Sequence, residues 1–129
     1  MKYLGIDYGK ARIGVAVSDE GGRIAFPREV FENESEYASL HRISELVATE
    51  KIAEVVMGLP HAMPGVSQDF RDEVRGFSEK LKDRAKVRVH FEDELFTTRI
   101  AERLSDKKSD AAAAALILQS FLDRKNKVQ

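Results

Sequence analysis

The stretch GIDYGKARIGVAVS, residues 5–18, decides how this chain folds. It predicts a strand, a tight turn at Gly9 and a second strand, because glycine permits sharp turns and the flanking residues favour extended backbone. Alternation along the first strand places Tyr3, Gly5 and Asp7 on one face. Since Gly5 has no side chain, it leaves space beside Asp7, which indicates that something binds next to this carboxylate.

A purely structural interpretation of Asp7 is also open. An aspartate shortly before a glycine is typical of a hairpin turn, because its side chain bonds the nearby backbone and glycine supplies a positive φ. The neighbours of Asp7 are mostly apolar residues or glycine, however, and an isolated ionised carboxylate is costly to remove from water. Asp7 must therefore be paired, hydrogen-bonded or bound to a metal, and acidic residues later in the chain decide between these roles.

The composition is that of a single globular domain spanning residues 1–129. The chain is 43% hydrophobic, and its formal net charge of −1 argues against a protein that coats nucleic acid non-specifically. An enzyme with an acidic metal site is compatible with this charge, since bound cations offset carboxylates. The absence of cysteine excludes disulfides, thiolate zinc sites and cysteine nucleophiles. Without a signal-peptide pattern or a membrane-length apolar run, we expect a cytoplasmic protein with no membrane partner.

The hydrophobic pattern predicts the element order βββ-α-β-α-β-α-α. The predicted strands are Lys2–Tyr8, Arg12–Ser18, Arg23–Val30, Ile52–Gly58 and Lys86–Glu92. The predicted helices are one capped within Asn33–Ser35 and ending near Lys51, one capped by Ser67 with its apolar stripe from Phe70 to Leu81, a short one over Thr98–Leu104, and one over Asp110–Lys125. A polar loop, Ser105–Ser109, precedes the last helix.

This order predicts an α/β fold with one mixed sheet and helices on its faces. The first three strands form an antiparallel meander, and Pro27 suits an edge position in the third strand. The two later strands follow through helical crossovers and run parallel to the first strand. The first strand therefore lies at the centre of the sheet, between the meander and the parallel strands.

Three acidic sites occupy similar places in this predicted fold. Asp7 lies near the end of the first strand, Glu92-Asp93-Glu94 lies at the end of the last strand, and Asp110 lies at the start of the last helix. Because ligands of α/β sheets bind at the carboxyl ends of the strands, these carboxylates are expected to converge. Taken singly, Asp110 is typical of a helix cap and the Glu92–Glu94 run of a solvated strand end.

Converging carboxylates repel each other at neutral pH, and hard divalent cations relieve this repulsion. Two such ions about 4 Å apart can clamp the attacking and leaving oxygens of a phosphodiester displacement. The cationic residues Lys10, Arg12, Lys107 and Lys108 are candidates for contacting phosphate near this site, although exposed lysine and arginine are mostly only solvated. The pattern thus favours a metal site, with separate structural roles for the three acidic sites as the alternative.

Four segments of the sequence resemble the motifs of the YqgF/RuvX family. They are residues 5–19 around GIDYG, residues 56–60 (VMGLP), residues 93–98 (DELFTT) and residues 110–122 in the last helix. The resemblance covers nearly the whole chain. It implies an RNase H-like sheet in the order 3-2-1-4-5, as in the similar Holliday junction resolvases, with Mg²⁺ or Mn²⁺ as cofactor.

The resemblance also implies the site residues. The catalytic acids would be Asp7, the Asp93-Glu94 pair and Asp110, with Asp7, Glu94 and Asp110 as metal ligands and Thr98 as a further substrate contact. Strand parity puts Asp93 and Glu94 on opposite faces, and a bulge at the strand end would reverse them. We favour Glu94 because of the resemblance, with Asp93 as second choice.

The expected activity is that of a metal-dependent endonuclease acting on structured RNA, in 5′-end processing of pre-16S ribosomal RNA, or on branched DNA. Monomer and homodimer both stay open. The chain departs from the family pattern at Lys10, His61, Leu95 and a shortened basic loop. These departures support an alternative, an RNA-binding ribosome-assembly factor with weak or no catalysis. A nucleotide phosphotransferase also opens with a Gly-x-Asp-x-Gly strand and turn, but it needs two such domains, for which this chain is too short.

Overall fold

The computed structural model describes residues 1–60, 67–94 and 107–127, which form a five-stranded sheet with helices on both faces. The strands are β1 (Tyr3–Tyr8), β2 (Arg12–Ser18), β3 (Ala25–Glu32), β4 (Glu54–Pro60) and β5 (Arg88–Glu94). The described helices are α1 (Glu36–Thr49), α2 (Gln68–Ala85) and α3 (Lys107–Lys127).

The sheet has the order β3-β2-β1-β4-β5, which confirms the predicted order. The pairs β1/β2 and β2/β3 are antiparallel, whereas β1/β4 and β4/β5 are parallel. Pro27 lies in the edge strand β3, as predicted, next to a register shift opposite Val15 and Ala16. Because β1, β4 and β5 are parallel, the ends of β1 at Tyr8 and of β5 at Glu94 point to the same edge of the sheet.

Three strands begin two residues later than the sequence pattern predicted, each for a local reason. The backbone N–H groups of Arg23 and Ile24 donate to the side chain of Asp19, so β3 cannot start at Arg23. The N–H of Ile52 donates to a carbonyl at the end of α1. Lys86 closes α2 in the left-handed conformation, with φ of 58°, which a strand residue does not adopt.

The helix caps agree with the sequence, but the last helix starts earlier than predicted. The side chains of Ser35 and Ser67 accept the capping bonds of α1 and α2. Helix α3 begins at Lys107 rather than Asp110, so Lys107 and Lys108 belong to its first turn and not to a loop. The predicted helix Thr98–Leu104 lies outside the described residues. None of the three described helices is both long and apolar enough to cross a membrane.

The sheet separates two hydrophobic clusters. On one face, Leu4 and Ile6 of β1 pack with residues of α1 and α2 such as Ile43 and Phe77. On the other face, Tyr3 packs with α3 residues such as Leu118. This arrangement confirms the predicted alternation along β1 and places Gly5 and Asp7 on the face that α3 covers.

A buried phenol joins the end of β1 to α2, and its titration is predictable. The hydroxyl of Tyr8 donates a 2.6 Å hydrogen bond to Glu73, and burial together with this bond raises the pKa of Tyr8 to about 12. The folded state therefore binds this proton more tightly than the unfolded state, whose tyrosine pKa is about 10. The stability that this group contributes is complete below about pH 10 and is lost as the pH rises towards 12.

We expect the tyrosinate absorbance of the folded protein to show one tyrosine that titrates near pH 12, and Tyr8→Phe to remove it. The substitution should lower the free energy of unfolding at pH 8 by about 1 kcal/mol, because it removes one hydrogen bond. Tyr37, which is 71% exposed, gives the matched control Tyr37→Phe, which should leave that late-titrating signal in place. Loss of the signal in the control alone would contradict the assignment.

Candidate active site

Asp7 and Asp110 are brought together on the face of the sheet that α3 covers. In the register of β1 and β2, Asp7 pairs with Gly14. The backbone of Asp110 lies directly on Gly14, so closely that a Cβ on this glycine would collide with it. Asp7 is only 6% exposed, and the side chain of Asp110 is 14% exposed. The fold thus juxtaposes two largely buried acidic residues from opposite ends of the chain.

Helix α3 fills the space that the sequence predicted beside Asp7, so this prediction is wrong. A Cβ on Gly5 would lie 2.7 Å from Cβ of Leu118 and 2.9 Å from the carbonyl oxygen of Ala114. The glycine therefore serves the packing of α3 rather than a ligand. The alanines of residues 111–115 that face the sheet are buried, and their small size permits this close approach. Gly5 and Gly14 together determine how near Asp110 comes to Asp7.

Arg12 forms an ion pair with Asp110. Its Nε donates a 2.6 Å hydrogen bond to Oδ2 of Asp110. This hydrogen bond and the negative charge of Asp110 raise the pKa of Arg12 above its ordinary value. The side chain of Arg12 is 38% exposed, whereas that of Asp110 is 14% exposed. The guanidinium therefore covers one oxygen of a candidate metal ligand while it stays accessible to solvent.

The acidic residues at the end of β5 have different surroundings. The sequence placed Asp93 and Glu94 beyond the last strand, but β5 extends to Glu94 because it pairs with β4 as far as Pro60. Glu92 is 6% exposed, and its Oε2 accepts hydrogen bonds from Ser120 (2.7 Å) and Arg124 (2.8 Å). Both donors lie on α3, and the pKa of Arg124 is raised by this contact. Glu92 therefore fixes α3 to the sheet, whereas Asp93 is exposed.

The predicted phosphate contacts lie in separate places. Lys10 is 69% exposed, and its Nζ is 3.7 Å from Oε1 of Glu73 and 5.9 Å from the ring centre of Phe70. This lysine therefore lies on the α2 side of the sheet, away from the Arg12–Asp110 pair. Lys107 and Lys108 occupy the turn of α3 that leads to Asp110. Thr98, together with His61 and Leu95, lies outside the described residues.

Asn33 fixes the turn between Asp7 and Arg12, a role that the sequence did not reveal. Its Nδ2 donates a 2.9 Å hydrogen bond to the carbonyl of Gly9, and its backbone N–H donates to the carbonyl of Ala11 at 2.9 Å. Ser39 in turn donates to Oδ1 of Asn33 at 2.7 Å. The sequence suggested only helix capping for this residue, because the partner turn is distant along the chain.

The donor set at this edge suits a hard divalent cation. Within residues 1–60, 67–94 and 107–127, no group of three or more acidic, histidine or cysteine side chains is positioned to hold a metal ion. Asp7 and Asp110 are nonetheless neighbours, and Mg²⁺ is commonly held by one or two carboxylates plus water and substrate phosphate. His90 pairs with Glu54 at 2.8 Å, which makes it a partner of that carboxylate rather than of Asp7. Asp7 and Asp110 thus offer oxygen donors, the kind that such a cation prefers.

Comparison with known sequences decides the family. A profile of the RuvX family, described as Holliday junction resolvase, matches residues 1–124. The chain belongs to the RuvX family. It is 38% identical to a protein of Desulforudis audaxviator over 95% of this chain and 94% of that protein. It is also 38% identical to a protein of Bacillus cereus over 97% of this chain and 100% of that protein. The names of both relatives assign them, provisionally, the activity of a pre-16S rRNA nuclease.

Comparison with solved structures confirms the RNase H-like fold that the family resemblance implied. RuvC of Thermus thermophilus in complex with a Holliday junction substrate superimposes with a TM-score of 0.65 at 16% identity, covering 98% of this chain and 96% of that chain. The Holliday junction resolvase of fowlpox virus gives a TM-score of 0.59 at 12% identity, covering 96% of this chain and 99% of that chain. At such identities the likeness concerns the fold alone, and RuvX membership rests on the sequence.

Proposed function

We propose that this RuvX-family protein is a metal-dependent endonuclease that hydrolyses phosphodiester bonds in the 5′-end processing of pre-16S ribosomal RNA. The observation that carries the proposal is the placement of Asp110 on Gly14, the cross-strand partner of Asp7. Two acidic residues thereby share the sheet edge where the parallel strands end. The names of the curated relatives support ribosomal RNA as the substrate.

The ligands proposed for Mg²⁺ or Mn²⁺ are Asp7, Asp110 and Glu94. Alternation along β5 supports Glu94 over Asp93. The uninterrupted register with β4 gives position 94 the same parity as His90 and Glu92, and Glu92 bonds α3 on the sheet face of Asp7. Asp93 has the opposite parity, shared with Val89, which packs in the cluster of α1 and α2. Glu94 is therefore proposed as the third ligand, with Asp93 as the alternative.

Each residue at the edge has a separate task in this proposal. Asp7, Asp110 and Glu94 would hold the metal ions, which would activate a water and stabilise the leaving oxygen. Asp7 is buried on the central strand, so its carboxylate has little freedom to move before substrate arrives. Helix α3 carries Asp110 and packs on the sheet face to which Asp7 belongs. The contact of the Asp110 backbone with Gly14 fixes the separation between Asp7 and Asp110. Lys107 and Lys108, in the turn of α3 that leads to Asp110, are proposed to contact the nucleic acid backbone. Lys10 on the α2 side of the sheet and Thr98 are proposed as further contacts.

Cleavage of RNA by the purified protein tests this function. A pre-16S RNA fragment that includes the 5′ end of the mature RNA is incubated with Mn²⁺, with Mg²⁺ or with EDTA, and a four-way DNA junction serves as the second substrate. We expect the RNA to be cut in the presence of either metal and to stay intact with EDTA. Cleavage of the junction but not of the RNA would show that the substrate is branched DNA. It would leave the proposed metal-dependent chemistry in place.

The second candidate function is an RNA-binding assembly factor. The ion pair of Arg12 with Asp110 favours it, because a guanidinium on a candidate ligand opposes metal binding. Tight RNA binding that is independent of metal, without cleavage of either substrate, would support this function against the nuclease. The same samples, measured by fluorescence anisotropy of the labelled RNA, decide between the two.

A further inference from the structure

The Arg12–Asp110 ion pair lies at the site proposed to bind metal, and it occupies one of the two carboxylate oxygens that Asp110 offers a metal ion. The donor is Nε of Arg12 and the acceptor is Oδ2 of Asp110, at 2.6 Å. A bound divalent cation and a guanidinium repel each other, and both seek the oxygens of one carboxylate. While Arg12 holds this contact, its positive charge and the use of Oδ2 weaken metal binding at Asp110.

Arg12 is placed so that it can leave without being buried unpaired. Its side chain is 38% exposed, at the start of β2, where the turn held by Asn33 ends. Glu32 lies opposite Arg12 in the register of β2 and β3, and its charge also favours the guanidinium. An arginine forms its strongest ion pairs with groups that present two acceptor oxygens to its planar guanidinium. A phosphate of the nucleic acid backbone is such a group.

We propose that Arg12 couples metal binding to nucleic acid binding at this site. In the free protein, Arg12 holds Asp110 and opposes the metal. When a nucleic acid binds, one of its phosphates takes over Arg12, and Asp110 becomes available to the cation. The inference rests on the proposed metal site. It goes further, because it makes Arg12 a positioning residue that keeps metal affinity low until substrate is present.

The first measurement is the affinity for Mn²⁺ in the absence of RNA, by isothermal titration calorimetry. We expect Arg12→Gln to bind Mn²⁺ about fivefold more tightly than wild type, at the low end of usual coupling energies between sites. Arg28→Gln is the matched control: it removes a guanidinium of similar exposure (43%), but one that pairs with Glu50 rather than Asp110. Arg28→Gln should leave the Mn²⁺ affinity close to that of wild type.

The second measurement is the affinity for a labelled pre-16S RNA fragment with and without Mn²⁺, by fluorescence anisotropy at low temperature, with the RNA checked for integrity afterwards. Because coupling between two binding sites is reciprocal, Mn²⁺ should tighten RNA binding to the wild type by the same factor by which RNA tightens Mn²⁺ binding. Arg12→Gln should lose most of this effect of Mn²⁺, whereas Arg28→Gln should keep it.

The outcomes separate this inference from the function on which it rests. If wild type binds Mn²⁺ and Asp7→Asn does not, the metal site stands. In that case, an Arg12→Gln affinity equal to or weaker than wild type, or an undiminished effect of Mn²⁺ on RNA binding, overturns the coupling alone. If neither wild type nor Arg12→Gln binds Mn²⁺ with or without RNA, the metal site and the coupling both fail.

Discussion

Replacing Gly14 by alanine is expected to destabilise the fold more than the same replacement at Gly5, the other glycine of β1 and β2. The new Cβ would collide with the carbonyl group of Asp110 and lie 3.0 Å from the backbone N of Ala111. Backbone atoms cannot rotate away as a side chain can, so the first turn of α3 must move off the sheet. We expect the free energy of unfolding to fall by about 3 kcal/mol, the upper end of usual overpacking costs.

The melting temperature of Gly14→Ala should fall by roughly 10 °C, given the size of the chain. Gly76→Ala on α2 is the matched control, because a Cβ at this position would meet no neighbouring heavy atom within 4 Å. Alanine at this helical position should raise the free energy of unfolding by about 0.5–1 kcal/mol. The two variants can be compared by thermal and urea denaturation. Equal stability of Gly14→Ala and wild type would show that α3 does not rest on Gly14.

Gly14→Ala should also lower nuclease activity under conditions in which the variant is fully folded. The substitution moves the backbone of Asp110 relative to Asp7 without changing either carboxylate. A displacement of a catalytic group by about 1 Å can cost on the order of 100-fold in rate. Gly76→Ala should cleave like wild type, since it lies on the opposite face of the sheet from Asp110.

Asp7→Asn is expected to abolish nearly all cleavage while the protein stays folded. The amide has almost the same shape as the carboxylate but carries no charge, and it is a poor ligand for Mg²⁺. Replacing even an outer partner of a metal ligand commonly costs 10–100-fold in activity, so loss of a direct ligand should cost at least about 100-fold. The melting temperature should not fall, because a buried charge is itself costly.

Glu92→Gln is the matched control for Asp7→Asn. Glu92 is equally buried and lies on the same face of the sheet, and Ser120 and Arg124 of α3 donate hydrogen bonds to its carboxylate. Its loss should lower the melting temperature and leave the cleavage rate of the folded protein near that of wild type. If Asp7→Asn cleaves at the wild-type rate, or if both variants lose cleavage equally, the role assigned to Asp7 is wrong.

Most of the fold was predictable because the local sequence patterns are strong and the order of the predicted elements favours one sheet topology. The alternation along β1, the serine caps of α1 and α2, and Pro27 at the edge all appear in the structure. The strand starts were less predictable. They depend on hydrogen bonds that hydrophobic periodicity does not reveal, such as those that the backbone N–H groups before β3 donate to the side chain of Asp19.

The proximity of Asp7 and Asp110 was predictable from the sequence, whereas the residues around them were not. The convergence of Asp7 and Asp110 follows from parallel strands and the last helix. The role of Gly5 in packing against α3 could not be inferred, because the sequence does not show whether a helix fills the space beside the strand. Strand alternation could have separated Glu92 from its neighbours, but the bond to Arg124 joins residues from different elements. The contact of Arg12 with Asp110 likewise joins the two ends of the chain.

A crystal structure of the protein grown at a saturating concentration of Mn²⁺, with anomalous diffraction data, would show whether Asp7 and Asp110 hold a metal ion. We expect an anomalous peak at the edge formed by β1 and α3, with carboxylate oxygens of Asp7 and Asp110 about 2.1–2.2 Å away, close to the distance typical of such hard cations. Glu94 is expected as the third ligand, and Arg12 should have moved off Oδ2 of Asp110. A structure with ordered Mn²⁺ elsewhere and none at Asp7 would contradict the claim.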